Sequence, residues 1–200
     1  MTQPALRPLA AALVAALAIP ATADAQSWLT RIRAIDIVPD VSTSINGLDV
    51  KDQWAPEIDF TYFFSKNLAS ELILSTARHE VTLNGNSIGK VSILPPTITV
   101  QYHFTDLGAW KPYVGGGINF TYFYNVGLAL PVGPTLDLAD DWSVGGALQA
   151  GLDYEIQKDV YLNLDVKYLW VKNDVTANGN TLGDLKINPW VFGLGVGWRF

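Results

Sequence analysis

Residues 159–172 read DVYLNLDVKYLWVK. Val160, Leu162, Leu164, Val166, Tyr168 and Trp170 fall on one parity; Tyr161, Asn163, Asp165 and Lys167 fall on the other. Strict alternation is the signature of a strand with two different faces. The same pattern recurs in both directions along the chain. Residues 142–156 set Trp142, Val144, Leu148, Leu152, Tyr154 and Ile156 against Ser143, Gln149, Asp153 and Glu155. Residues 54–64 set Trp54, Ile58, Phe60, Tyr62 and Phe64 against Glu57, Asp59 and Thr61. Residues 92–104 and 113–124 alternate likewise. The last ten residues, VFGLGVGWRF, place Phe192, Leu194, Val196, Trp198 and Phe200 on one face and only glycine, Val191 and Arg199 on the other. Eight strands follow, over residues 28–38, 53–64, 68–82, 91–104, 111–125, 141–156, 159–173 and 185–200. No helical period competes with them, so residues 26–200 form one all-β domain.

The first residues, MTQPALRPLAAALVAALAIPATADAQSW, have another character. Arg7, an apolar run over residues 9–19 and the small residues Ala23 and Ala25 have the form of a secretory signal peptide, residues 1–25, cleaved after Ala25. The run is too short for a membrane anchor, which needs about 20 apolar residues. The chain has no cysteine, which excludes disulfides and thiolate metal sites. Its net charge of −6 argues against nucleic acid as a partner. Nearly half the residues are apolar, yet residues 26–200 contain no run long enough for a membrane-spanning helix. A soluble β protein and a membrane barrel remain.

The connections decide between them. Residues 65–67, 105–109 and 157–159 are tight turns; residues 39–52, 126–140 and 174–184 are long, and 84–90 is intermediate. Short turns at one end and long loops at the other are the habit of outer-membrane barrels. Trp28, Trp110 and Trp198 fall near the short-turn end; Trp54, Trp142, Trp170 and Trp190 fall near the long-loop end. All seven tryptophans thus sit where two interfacial girdles belong. The reading is an eight-stranded antiparallel transmembrane β-barrel in the outer membrane of a Gram-negative cell. Its greasy outer face is covered by lipid and lipopolysaccharide. The alternative places the seven tryptophans in the core of a soluble sandwich.

Several stretches bear a family likeness. They are WLTRIRAIDIVP (28–39), PEIDFTYFFSKNLASEL (56–72), LPPTITVQYHF (94–104), KPYVGGGINFTYFY (111–124), GGALQAGLDYEI (145–156), LNLDVKYLWVK (162–172) and NPWVFGLGVGWRF (188–200). In this order they resemble the OmpW family, AlkL-type proteins included. The resemblance implies an eight-stranded outer-membrane barrel with a narrow hydrophobic passage for small hydrophobic molecules. The terminal Val196, Trp198 and Phe200 resemble the signal by which the barrel-assembly machinery recognises its clients.

Parity also assigns the lumen. Near the periplasmic end it collects Arg31, Arg33, Asp59, Glu71, Gln101, His103, Asp153, Glu155, Asn163, Asp165 and Arg199. Charges of both signs in so narrow a barrel are expected to pair into a polar plug; the other reading is an ion pathway. Asn163, on the lumen face, is expected to tolerate a charge better than Val166 on the lipid face. Farther out, Ile35, Ile37, Ala55, Ala77, Phe123, Ala147, Leu169, Val171 and Val191 point inward. They suit an apolar pocket open to the outside, or the ordinary filling of a small barrel. Leu128, Leu130, Val132 and Leu136 of the third long loop are placed to line its mouth. Pro39, Pro56, Pro95, Pro96 and Pro189 lie in or beside strands and donate no ladder hydrogen bond. They are candidates for a lateral gate into the membrane; the plainer reading is that they mark strand ends.

An enzyme is not expected, because His79 and His103 stand isolated from any nucleophile and acid. Two lone histidines also make no metal site, and no cofactor is implied. The expected function is passive uptake of small hydrophobic solutes through the apolar lumen, with lateral exit into the membrane. The alternative is a structural or interaction barrel that carries no solute, and a soluble ligand-binding barrel stands third.

Overall fold

The computed structural model describes residues 27–130, 133 and 135–200. The signal-peptide segment and Val132 lie outside the described residues. The strands are β1 (Ser27–Val38), β2 (Ser42–Thr43), β3 (Leu48–Val50), β4 (Gln53–Phe63), β5 (Leu68–Ser75), β6 (Ala77–Leu83), β7 (Asn86–Leu94), β8 (Thr97–His103), β9 (Trp110–Ala129), β10 (Thr135–Leu138), β11 (Trp142–Gln157), β12 (Val160–Leu169), β13 (Lys172–Ala177), β14 (Asn180–Lys186) and β15 (Trp190–Arg199). All pair antiparallel. The order β1–β4–β5–β8–β9–β11–β12–β15 returns to β1 and closes an eight-stranded barrel. Closure joins the eight strands into a ring without a free sheet edge, which a sheet in hydrocarbon requires.

The seam is between β1 and β15. Its register runs from Leu29↔Arg199 to Val38↔Trp190. One further rung is made by Phe200, whose N–H donates to the Trp28 carbonyl at 2.8 Å while its carbonyl accepts from the Trp28 N–H at 2.8 Å.

The outer surface is apolar at mid-height. Ile32, Val100, Leu148, Leu164 and Leu194 are each more than half exposed. Aromatic pairs bound this belt: Trp28 with Tyr62 and Trp110 with Tyr154 at the short-turn end, Tyr122 with Trp142 and Tyr168 with Trp190 at the other. An exposed hydrocarbon belt between two aromatic rings is a lipid-facing surface.

Four of the eight strands read from the sequence do not run on as single strands. The one over residues 68–82 breaks at Thr76, and the one over 91–104 breaks at Pro95 and Pro96. Those over 159–173 and 185–200 break beyond Leu169 and before Trp190. The outer pieces continue as a second tier. There β3 pairs β6, β6 pairs β7, β7 and β10 pair the outer half of β9, β10 pairs β13, β13 pairs β14, and β14 pairs β2. Of the three segments read as long loops, 174–184 is therefore largely sheet, 126–140 carries the end of β9 and all of β10, and 39–52 holds only the short β2 and β3. Residues 84–90 are not a loop of intermediate length. Asn84 and Gly85, at φ of 51° and 80°, make a two-residue turn, and Asn178 and Gly179 make another at 50° and 78°. Asn-Gly is the sequence that a tight hairpin turn with two positive φ angles requires.

Inside, the barrel is layered along its axis. Leu29, Phe63, Ala69 and Tyr161 form a small apolar cluster at the periplasmic end. A charged layer follows. Above it a large apolar cluster extends from Ile35, Ala147 and Val191 up into the second tier at Leu136, Val175 and Leu185.

Candidate functional site

The charged layer is built by register. On β1, Arg31 faces Asp59 and Arg33 faces Glu57 of β4, directly across the pair. On the other side of β1 the same residues face Gly197 and Gly195 of β15. Those glycines are required by close approach. A Cβ on Gly195 would stand 2.7 Å from Arg33 Cγ, and one on Gly197 would stand 2.9 Å from Arg31 Cγ. The alternate glycines of the final strand are the space into which the arginine stems fold.

Each arginine is shared among several acids. Arg31 grips Asp153 with two parallel bonds, Nε at 3.1 Å and Nη2 at 3.0 Å. Its Nη1 donates to Asp59 at 2.9 Å, to Thr61 at 3.0 Å and to Glu71 at 3.1 Å. Arg33 donates to Glu57 at 2.8 Å, Glu71 at 3.2 Å and Asn163 at 2.6 Å. Its Nη1 also lies 2.8 Å from Asp59 Oδ2, an ion contact without hydrogen-bond geometry. Lys167 bridges Glu57, at 2.8 Å, and Asp165. Neutral groups complete the layer. Gln101 donates to Glu71 and Gln149, Gln149 and Tyr113 donate to Asp165, and Asn163 donates to Asp153. His103 Nε2 meets Gln101 Oε1 at 2.9 Å, between the rings of Phe63 and Tyr113. Buried charges persist only when paired and hydrogen-bonded in this way.

Most of the polar residues expected in the lumen meet in this one network: Arg31, Arg33, Asp59, Glu71, Gln101, His103, Asp153, Asn163 and Asp165. Glu155 and Arg199 stand apart. Glu155 is 3.6 Å from Lys111 and partly exposed. Arg199 donates to Ser27 Oγ and lies 4.3 Å over the Phe63 ring. Both sit at strand ends, where the lumen meets water. Asn163 is wholly buried between Arg33 and Asp153, so its surroundings leave no room for an added charge. Glu57, Lys167, Tyr113 and Gln149 belong to the network and were not singled out from sequence. Continuing the alternation one rung outward from Asp59 and from Asp165 reaches Glu57 and Lys167. Tyr113 has a weaker signal, a tyrosine opposite Gly151.

Above this floor lies a narrow cavity of about 50 Å³. Ile35, Ile37, Phe123, Leu169, Val171 and Val191 all line it. Pro95 and Pro189 line it too; Pro39, past the end of β1, and Pro56, facing outward on β4, do not. A second, smaller cavity of about 30 Å³ shares Val50, Ile93, Phe123 and Ile187 with the first. The rest of its lining, which includes Leu48, Leu128, Leu136 and Leu185, comes largely from the second tier and is entirely apolar. Leu130 packs against the same cluster. The wall beside the lower cavity is interrupted. Pairing of β4 with β5 stops at Glu57↔Ser75, one residue short of Pro56. Between Ile73↔Thr97 and Ala77↔Ile93, the two chains flanking Pro95 and Pro96 have no ladder pair.

Residues 23–200 match the model of the OmpW family. The chain belongs to the OmpW family. Within it, outer membrane protein W of Escherichia coli (strain K12) is 35% identical over 169 residues, covering 78% of each chain. An uncharacterized outer-membrane protein of Sinorhizobium fredii is 43% identical over 185 residues, covering 86% of this chain and 80% of that one. The crystal structure of OprG from Pseudomonas aeruginosa superposes with a TM-score of 0.77 at 25% identity, covering 88% of this chain and 96% of that one. The solid-state NMR structure of AlkL in lipid bilayers shares the fold at a TM-score of 0.65 and 23% identity, over 92% and 94% of the two chains. This OmpW-family chain is an outer-membrane β-barrel.

Proposed function

We propose that the protein admits small hydrophobic molecules passively through its apolar chamber and releases them sideways into the membrane. One observation carries this reading: two adjoining apolar cavities, which share four lining residues, lie between the outer tier and a floor of buried ion pairs. A solute that loses contact with water gains about 25 cal/mol per Å² of apolar surface covered, so such a chamber favours greasy molecules. The floor opposes onward passage to the periplasm, because a solute crossing it must break buried ion pairs. Sideways exit is favoured at the interrupted wall near Pro56, Pro95 and Pro96, where no ladder bonds need to break. Arg31, Arg33, Asp59, Glu71 and Asp153 form the plug in this scheme, and Val196, Trp198 and Phe200 serve assembly.

The test separates chamber from floor. Leu169→Asp with Val171→Asp makes the chamber polar and leaves the ion pairs intact. Cells carrying the double variant are expected to take up a hydrophobic probe more slowly than wild type, while ion conductance in planar bilayers stays unchanged. If uptake is unchanged, the route is wrong. If wild-type cells take up no hydrophobic probe faster than cells with an empty vector, a structural barrel is the better reading.

A further inference from the structure

One polar group of the chamber walls lies outside the plug and is only half engaged. His79, on β6, is 5% exposed and lines the lower cavity. It lies above the outer aromatic girdle, two residues beyond Ala77. Its Nδ1 is 2.9 Å from the carbonyl oxygen of Lys51. A carbonyl only accepts, so Nδ1 carries the proton and Nε2 of the neutral ring keeps a lone pair. Burial holds this imidazole below its ordinary pKa, which keeps the ring neutral. Among the described residues, Nε2 has no hydrogen-bond partner.

The other polar groups of the lining are engaged. Ser75 Oγ donates to the Pro56 carbonyl at 2.8 Å, Thr97 Oγ1 to the Pro95 carbonyl at 3.1 Å, and Thr121 Oγ1 to Asn119 Oδ1 at 2.6 Å. Glu57 and Lys167 are bound into the floor. Among the described residues, His79 Nε2 thus lacks a donor while it faces largely apolar surroundings, where an unmade hydrogen bond is costly.

We infer that His79 Nε2 accepts a hydrogen bond from a hydroxyl on the solute, so that the chamber selects aliphatic alcohols over alkanes of the same length. This rests on the solute route proposed above. The chemistry narrows the class. An ammonium group brings a charge into an apolar chamber, and a carboxylate brings a charge and no donor. A neutral hydroxyl supplies the donor at the least desolvation cost.

The ¹⁵N spectrum of the imidazoles, with the barrel in lipid nanodiscs, tests it with 1-octanol and n-octane as probes. Octanol is expected to shift Nε2 of His79 and octane to leave it in place, with His103 in the floor as the unmoved control. In cells, His79→Leu is expected to reduce octanol uptake about two- to tenfold, the size of one net hydrogen bond. Octane uptake should not change. His79→Gln, which keeps an acceptor, is expected to recover part of the loss. Octanol that perturbs Phe123 and Leu169 without moving His79 overturns the inference and leaves the route standing. If neither probe perturbs Phe123 or Leu169, the route itself fails, and the inference with it. The wild-type spectrum decides this even where a variant does not fold.

Discussion

At the scale of the residue, the two faces of one strand carry opposite requirements. Val166 on β12 sits between Ala150 and Phe192 on the lipid side. Val166→Arg places a charge in hydrocarbon and is expected to cost about 2–4 kcal/mol, read from denaturant unfolding in micelles. Asn163, three positions away on the lumen side, accepts from Arg33 and donates to Asp153. Asn163→Arg adds a third guanidinium to a filled and paired layer. It is expected to be no better tolerated than Val166→Arg by the same measurement. A lumen position is permissive only where the lumen holds water, and at Asn163 it holds protein.

At the scale of the element, β15 does three things with one alternating pattern. Its odd members Gly193, Gly195 and Gly197 leave space for the side chains of β1. Its even members Phe192, Leu194 and Trp198 face lipid. Phe200 extends the ladder by two main-chain bonds to Trp28 and exposes its ring. Deleting Phe200 is expected to slow insertion and raise the heat-sensitive fraction on an unboiled gel, more than deleting a residue of the Asn178–Gly179 turn region. Normal folding of the deletion would show that the seam closes without that rung. The broken strands obey the same ladder logic. Pro95 and Pro96 supply no N–H, so β7 and β8 part there.

At the scale of the whole molecule, the charged floor ties opposite walls of the barrel together. Arg31 alone connects β1 with acids on β4, β5 and β11. Arg31→Gln leaves these buried carboxylates short of a counter-charge. It is expected to lower stability by about 3–5 kcal/mol and to raise ion conductance in planar bilayers. A variant that stays stable and closed would mean that the remaining pairs seal the lumen unaided. The chamber above depends on the second tier instead. Its apolar walls come from segments far apart in sequence that meet only because the outer strands pair.

Alternation by itself determined the eight strands, the lipid face, the two aromatic girdles and the sorting of lumen residues into a charged and an apolar level. Each of these follows from parity along a strand and depth along the axis, which are local properties. The tertiary structure alone decided which charges meet, because register between β1 and β4 sets Arg31 against Asp59 and Arg33 against Glu57. It also decided that Glu155 and Arg199 lie at the mouth and that Glu57, Lys167 and Tyr113 lie within the floor. Parts of the outer loops fold as sheet for the same reason. Short strands such as β3 and β10 have too few residues to show a period, and only the neighbours they pair with select their conformation. His79 shows the limit most plainly: its proton is placed by the carbonyl of Lys51, 28 residues away in the chain, and no local pattern marks that contact.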